Sequence, residues 1–90
     1  SNDIIANWMD DDIIQCDEFW SFDDLYTAWE IWCDGEGYLP KQRPEKREVK
    51  LELLKHQEKT QYGCVLGKKS DNCPNGTKNK PLFNFKPIDD

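Results

Sequence analysis

The first 37 residues contain neither lysine nor arginine, although they carry eleven aspartates and glutamates. All twelve basic residues lie within residues 38–90, where seven acidic residues accompany them. The net charge of −6 therefore combines an amino-terminal part at −11 with a carboxy-terminal part at +5. A domain with this split can bind a polyanion with one face and repel it with the other. Alternatively, the two parts neutralise each other across the fold.

The chain also lacks the residue patterns of common catalytic and metal sites. It contains no Gly-x-x-x-x-Gly-Lys-Ser/Thr loop, which excludes ATP hydrolysis by that mechanism in these 90 residues. His56 is the only histidine, and no nucleophile can be paired with it from the sequence. The four cysteines include no Cys-x-x-Cys pair, which structural zinc sites usually contain. We therefore predict a non-catalytic domain without a metal or other cofactor.

Two remaining patterns have simple structural interpretations. The run Asp10 to Asp12 could suggest a divalent-cation site, but adjacent helical residues point about 100° apart and cannot converge on one ion. We expect a solvated helix end instead. Cys33 is expected to be a small buried apolar residue. A disulfide between Cys64 and Cys73 is conceivable, but it would not persist in a reducing compartment.

Long apolar runs are missing as well. No segment approaches the roughly 18 apolar residues of a membrane span, and no signal-peptide pattern opens the chain. We therefore expect a soluble, intracellular protein without a membrane partner.

Ninety residues suffice for one domain, with a core built from four Trp, four Phe and three Tyr. Because Ser1 and Asn2 resemble a remnant of cloning, we expect residues 1–90 to be a fragment of a larger protein.

Apolar residues at helical spacing predict two helices in the acidic part. The first begins near Asp3, and the second begins at Phe22, where Ser21 and Asp24 resemble a capping box. Its end is predicted at residues 34–37, because glycine readily adopts the left-handed conformation of a helix terminus. Between the helices, Phe19 and Trp20 form a short extended piece. The apolar face of the first helix comprises Ile4, Ile5, Trp8, Met9 and Ile13. That of the second comprises Phe22, Leu25, Tyr26, Trp29, Trp32 and Cys33.

The basic part predicts a third helix followed by a β-hairpin. Residues 45–59 are rich in Lys, Glu and Leu, with Pro44 in the first turn of the helix. Val49 and Leu53 share one helical face, although their alternation with Leu51 would also suit a strand. Residues 62–69 and 82–88 are apolar, β-tolerant runs separated by Gly, Asn, Pro and lysines. The order of helix, short strand, helix, helix and hairpin predicts an α+β winged helix, with the hairpin as its wing.

The second helix also resembles a known family. Its sequence FDDLYTAWEIWC (Phe22 to Cys33), followed by a glycine turn, a Pro/Lys/Arg loop, a basic helix and a hairpin, resembles the carboxy-terminal domain of poxvirus-type primase-helicases. These proteins occur in large DNA viruses, with relatives in phage and plasmid primases. The resemblance implies a winged-helix appendage that follows a primase domain and a hexameric ATP-driven helicase core in the same chain. It implies DNA replication as the context, in the cytoplasm or nucleus of a host.

These features together predict binding to DNA phosphates. In winged helices the third helix enters the major groove and the wing contacts the backbone. Base readout by Gln42, Arg43 or Arg47 is conceivable, but a helicase appendage gains nothing from it, so we favour non-specific or fork binding. The rival hypothesis is a protein-docking module that uses the acidic face. The predicted DNA-binding residues are Lys41, Arg43, Lys46, Arg47 and Lys50 near the third helix, and Lys68, Lys69, Lys78 and Lys80 in the wing.

Overall fold

The structure is a computed structural model, and it describes residues 2–56 and 82–89. The predicted α+β class is confirmed, and the layout of three helices and a two-stranded antiparallel sheet is compatible with a winged helix.

The predicted hairpin arm at residues 62–69 and its tip lie outside the described residues, as do Lys68, Lys69, Lys78 and Lys80. In chain order the elements are α1 (Asn2–Asp12), β1 (Ile13–Ser21), α2 (Phe22–Glu36), a 3-10 turn (Pro40–Gln42), α3 (Lys46–His56) and β2 (Leu82–Pro87).

Helix α2 begins and ends where the sequence predicts. The Ser21 Oγ accepts a hydrogen bond of 3.0 Å from the amide of Asp24, which satisfies one of the unpaired donors of the first turn. At the other end Gly37 has a φ of 82°, a left-handed conformation that costs glycine no side-chain strain. The amides of Gly37 and Tyr38 then donate to carbonyl groups of the last turn at 3.2 and 3.0 Å. These caps fix the length of α2.

The buried face of α2 is the centre of the core. Trp29 is fully buried and meets Trp8 of α1 edge to face, with ring centroids 5.3 Å apart. Tyr26 and Trp32, which the periodicity also assigned to the interior, are only half-buried and lie at the border of the core. The core consists of Ile5, Trp8, Phe22, Leu25, Trp29, Cys33, Val49, Leu53, Phe83 and Phe85.

The boundaries of α1 and α3 differ from the prediction. Helix α1 ends at Asp12, and Ile13 begins a nine-residue strand that is much longer than the predicted extended piece at residues 19–20. The last turn of α1 contains three carboxylates and no base, which opposes the helix dipole, whereas β-branched isoleucines favour a strand. Helix α3 begins after the buried Pro44 and does not include it. The carbonyl of Glu45 accepts the first helical amides.

The sheet joins distant parts of the chain. β1 pairs antiparallel with β2, and residues 16–19 of β1 bulge opposite the single residue Asn84. The Asn84 side-chain amide donates to the Glu18 carbonyl at 2.6 Å, and the Lys86 Nζ lies 2.8 Å from a Glu18 carboxylate oxygen. Two side chains of β2 therefore hold the bulge of β1 in place. Among the described residues, no helix is both long and apolar enough to span a membrane.

We expect Trp29→Ala to lower the free energy of unfolding by about 3–5 kcal/mol, because it leaves a large cavity in the core. Chemical denaturation measures the loss. Trp29→Phe, which leaves a smaller cavity, keeps a measurable transition if the alanine variant is largely unfolded. Ile31→Ala, on the exposed side of the same helix, should change stability by no more than about 0.5 kcal/mol. Equal effects of Trp29→Ala and Ile31→Ala would contradict this account of the core.

Asn84→Ala removes the side-chain donor to the Glu18 carbonyl, so we expect a loss of about 1–3 kcal/mol in the free energy of unfolding. Faster amide exchange in residues 16–19 should accompany the loss, because the bulge is no longer held. The control is Gln15→Ala at an exposed position of the same strand. A loss of stability without faster exchange in the bulge would show that Asn84 acts elsewhere.

Candidate nucleic-acid interface

Four of the predicted DNA-binding residues lie before α3 or in its first two turns, and three of them are exposed. Lys41 is exposed on the 3-10 turn, and Arg47 is exposed in the first turn of α3. The Lys46 side chain is 57% exposed, and Lys50 is half-buried one turn further along. The fifth, Arg43, differs from them, because only 13% of its side chain is exposed.

Two of these lysines converge on one aromatic pair. The Lys46 and Lys50 Nζ atoms lie 5.8 and 5.6 Å from the centre of the Phe22 ring, and Lys46 also lies 4.9 Å from that of Tyr26. The two rings are themselves 5.7 Å apart. Ammonium groups are attracted to the faces of aromatic rings, so this pair gathers both charges at one place on the surface. We call Phe22, Tyr26, Lys46 and Lys50 the Phe22 cluster.

The Tyr26 hydroxyl is a neutral member of the Phe22 cluster. Burial, with the nearby charge of Glu30, raises the pKa of Tyr26 above its ordinary value, and Arg43 opposes this only in part. The phenol is therefore protonated at neutral pH, so it can both donate and accept a hydrogen bond without adding negative charge.

The positions of Lys46 and Arg47 are unfavourable for the stability of α3 itself. The amino end of a helix carries a partial positive charge, so a lysine or arginine there typically costs about 0.3–1 kcal/mol. Lys46 and Arg47 occupy the first turn of α3, where Glu48 offsets only part of their charge. Helix stability therefore does not explain two bases at this end. An anion bound there would be attracted by both the side chains and the helix dipole.

Arg43 holds the loop before α3 against the end of α2. Its Nη2 donates to Asp34 Oδ1 and to the Tyr38 carbonyl at 2.6 Å each, and its Nε donates to the same carbonyl at 3.0 Å. The hydrogen bond to Asp34 raises the pKa of Arg43 further, so the guanidinium is charged at all working pH values. The loop that carries Lys41 and leads to Lys46 is thereby fixed.

The charge split is partly neutralised within the fold. Lys55 pairs locally with Glu52, but the other three ion pairs among residues 2–56 and 82–89 join a base of the second part to an acid of the first. This supports the alternative that the two parts compensate each other, although surface pairs such as Lys46 with Asp23 at 3.7 Å contribute little energy. The three pairs are Arg43 with Asp34, Lys46 with Asp23, and Lys86 with Glu18.

In the acidic run at the end of α1, Asp10 and Asp11 are exposed and Asp12 is half-buried. Asp11 Oδ2 accepts a hydrogen bond of 2.8 Å from the Trp32 indole. Burial raises the pKa of Asp12, and the charges of Asp89 and Asp11 raise it further. The indole N–H of the buried Trp8 makes no hydrogen bond of good geometry with the described residues, yet it lies near enough to Asp12 to lower that pKa in part.

The part of the chain that the structure describes brings no three Asp, Glu, His or Cys side chains together as metal ligands.

The two described cysteines are free thiols. Cys33 is fully buried on α2, which confirms the expectation of a small apolar core residue, and Cys16 is half-buried on β1. Burial raises the pKa of both thiols, so both are protonated and poorly nucleophilic at neutral pH. Cys64 and Cys73 lie outside the described residues.

Ile31 was missed by the sequence reasoning, which used only the buried stripe of α2. Ile31 is 66% exposed, and it lines an open groove of about 580 Å³ beside the buried face of α2. Trp20 and Trp32 line the same groove. The apolar residues Ala28 and Ile31, three positions apart and outside the predicted face, could have indicated this surface.

Comparison with protein-family models, curated proteins and solved structures gives no match to this chain. The resemblance of α2 to the primase-helicase domain therefore stays a prediction.

We expect Asp12→Asn to raise the melting temperature at pH 7. Because the folded state raises the pKa of Asp12, ionisation destabilises the fold as the pH rises through the folded pKa. Asn avoids that cost, and it also removes a negative charge from the unfavourable end of α1. Thermal unfolding across a pH series should show the gain shrink at about pH 3, where the carboxyl is protonated in both states. A gain that is independent of pH would contradict the burial argument.

Proposed function

We propose that this domain is a non-catalytic accessory domain that docks DNA phosphates at the amino end of α3. The observation that carries the proposal is the convergence of Lys46 and Lys50 on Phe22, beside the exposed Arg47. The cluster gathers positive charge where the dipole of α3 adds to it. Lys41, on the turn fixed by Arg43, extends the positive surface on the side of the preceding loop.

The chemistry of this surface favours phosphates over bases. Lys41, Lys46 and Lys50 are point charges without the planar fork that reads base edges, and Arg43 donates from Nε and Nη2 within the protein. One exposed arginine, Arg47, among three lysines supports phosphate contacts more than base readout. Binding is therefore non-specific or directed to the shape of a fork, and α3 is the element that approaches the duplex. Lys68, Lys69, Lys78 and Lys80 of the predicted wing would add backbone contacts. The resemblance of the α2 sequence supports a context for this proposal, in which the domain acts in a viral or phage-type primase-helicase beside the helicase core of the same chain.

A second candidate function is docking of a protein partner. The observation in its favour is the groove beside Ile31, which combines exposed apolar side chains with carboxylates. This surface lies beside the buried face of α2 and includes no residue of the Phe22 cluster, so the two functions are compatible.

Binding of labelled duplex and forked DNA should be weak and strongly dependent on salt. If about four to six of the nine predicted cations contact phosphates, log K should fall with log salt at a slope of roughly −4 to −5. Fluorescence anisotropy at several salt concentrations measures this slope. The combined variant Lys46→Glu and Arg47→Glu should abolish binding without unfolding α3, because acidic residues are favourable at the amino end of a helix.

The matched control is Lys55→Glu, a charge reversal at the opposite end of the same helix, which should preserve most of the affinity. Changing Asp10, Asp11 and Asp12 to Asn should leave affinity equal or higher. Absence of binding at about 50 mM salt, or equal losses for the reversals at both ends of α3, would favour the protein-docking function.

A further inference from the structure

Helix α2 carries a second stripe next to its buried face, since Ala28 packs against the core whereas Asp24 and Ile31 are exposed. Asp24, Ala28 and Ile31 follow one another at spacings of four and three residues, and all three line the groove of about 580 Å³. Trp20 of β1 and Pro87 of β2 line it from the sheet side. The groove therefore has apolar walls supplied by two different layers of the fold.

Carboxylates surround these apolar walls. Asp12, at the end of α1, and Asp89, just after β2, line the groove together with Asp24, and no described lysine or arginine does so. The backbone amide of Ile88 donates to the Asp12 carbonyl at 2.7 Å, which keeps the ends of α1 and β2 together. After burial, the charge of Asp89 contributes to the raised pKa of Asp12. A cation bound between the two carboxylates would relieve that repulsion.

We propose that this groove binds a segment of a partner protein that carries lysine or arginine around an aliphatic or aromatic anchor. The anchor would lie between Trp20 and Ile31, whose exposed side chain it would cover. Asp24 lies seven residues before Ile31, which is about 10 Å along the helix axis, so a basic residue about two turns from the anchor would reach it. Asp12 and Asp89 would receive a second base.

Charge complementarity selects this occupant over other macromolecules. Three carboxylates around one groove repel nucleic acid and anionic lipid surfaces, whereas they attract a basic peptide. The groove also lies apart from the Phe22 cluster, since none of the four cluster residues lines it. The proposal therefore rests on the docking function proposed for this groove and does not depend on DNA binding by α3.

The test is a titration of the isotopically labelled 90-residue chain, followed by NMR. The probes are two amphipathic peptides of about 14 residues, one built from leucine and lysine and the other from leucine and glutamate. The lysine peptide should shift the amide signals of Ala28 and Ile31 and the indole signals of Trp20 and Trp32. Ile31→Asp should weaken its binding at least about tenfold, because the anchor loses its apolar wall.

Two controls separate the groove from other surfaces. Leu39→Asp places the same change on a residue that is 55% exposed outside the groove, and it should leave binding unchanged. The combined reversal of Lys46 and Arg47 to glutamate should likewise have no effect, so failure of this proposal is distinguishable from failure of DNA binding. Asp24→Asn together with Asp89→Asn should reduce the salt dependence of the affinity for the lysine peptide.

Several outcomes would overturn the proposal. Equal affinity for the glutamate peptide would show that the carboxylates do not select a basic partner. Changes in NMR signals spread over all acidic surfaces would show that the peptide does not bind specifically in the groove. Unchanged binding of the lysine peptide to the Ile31→Asp variant would show that Ile31 does not contact the anchor. Sedimentation that shows a dimer abolished by Ile31→Asp would mean that the groove is occupied by a second copy of this chain.

Discussion

The contact between Trp29 and Trp8 is the interaction on which the rest of the described structure depends. It fixes α2 against α1, and the same buried face of α2 shares a core with Val49 and Leu53 of α3 and with the phenylalanines of β2. In a domain of this size few other large side chains are available to replace it. Because α2 is held in this way, Phe22 at its first position lies beside α3, where the two lysines meet it.

The orientation of α2 also separates two surfaces of opposite charge. On the side of α3, Lys46 and Lys50 gather around the Phe22 ring, and the helix dipole adds to their field. Beside the buried face of α2, the exposed Ile31 lines a groove together with three carboxylates. The acidic and basic parts of the sequence therefore do not form one acidic and one basic face of the fold. Some of their charges pair with each other, and the pair of Arg43 with Asp34 positions the loop before α3.

Local patterns predicted that three helices form and where α2 begins and ends, since these features depend on spacing and caps within a few residues. Ser21 and Gly37 mark both ends of α2, and Val49 and Leu53 identify the inner face of α3. The pairing of β2 with β1 could not be predicted in this way, because residues 13–21 and 82–87 pair across most of the chain. The structural role of Arg43 was missed for a similar reason. Its partners become neighbours only after α2 ends in the left-handed turn at Gly37, so composition alone indicated one more surface cation.

One NMR titration of the labelled chain with forked DNA tests the central claim most directly, because it reports on both surfaces of α2 in a single experiment. The account predicts perturbed amide signals at Lys46, Arg47 and Lys50, with those of Ala28 and Ile31 unchanged. Perturbation centred on Ala28 and Ile31 would contradict it. So would unchanged signals throughout α3 at about 50 mM salt, a concentration at which phosphate contacts by several cations should be detectable.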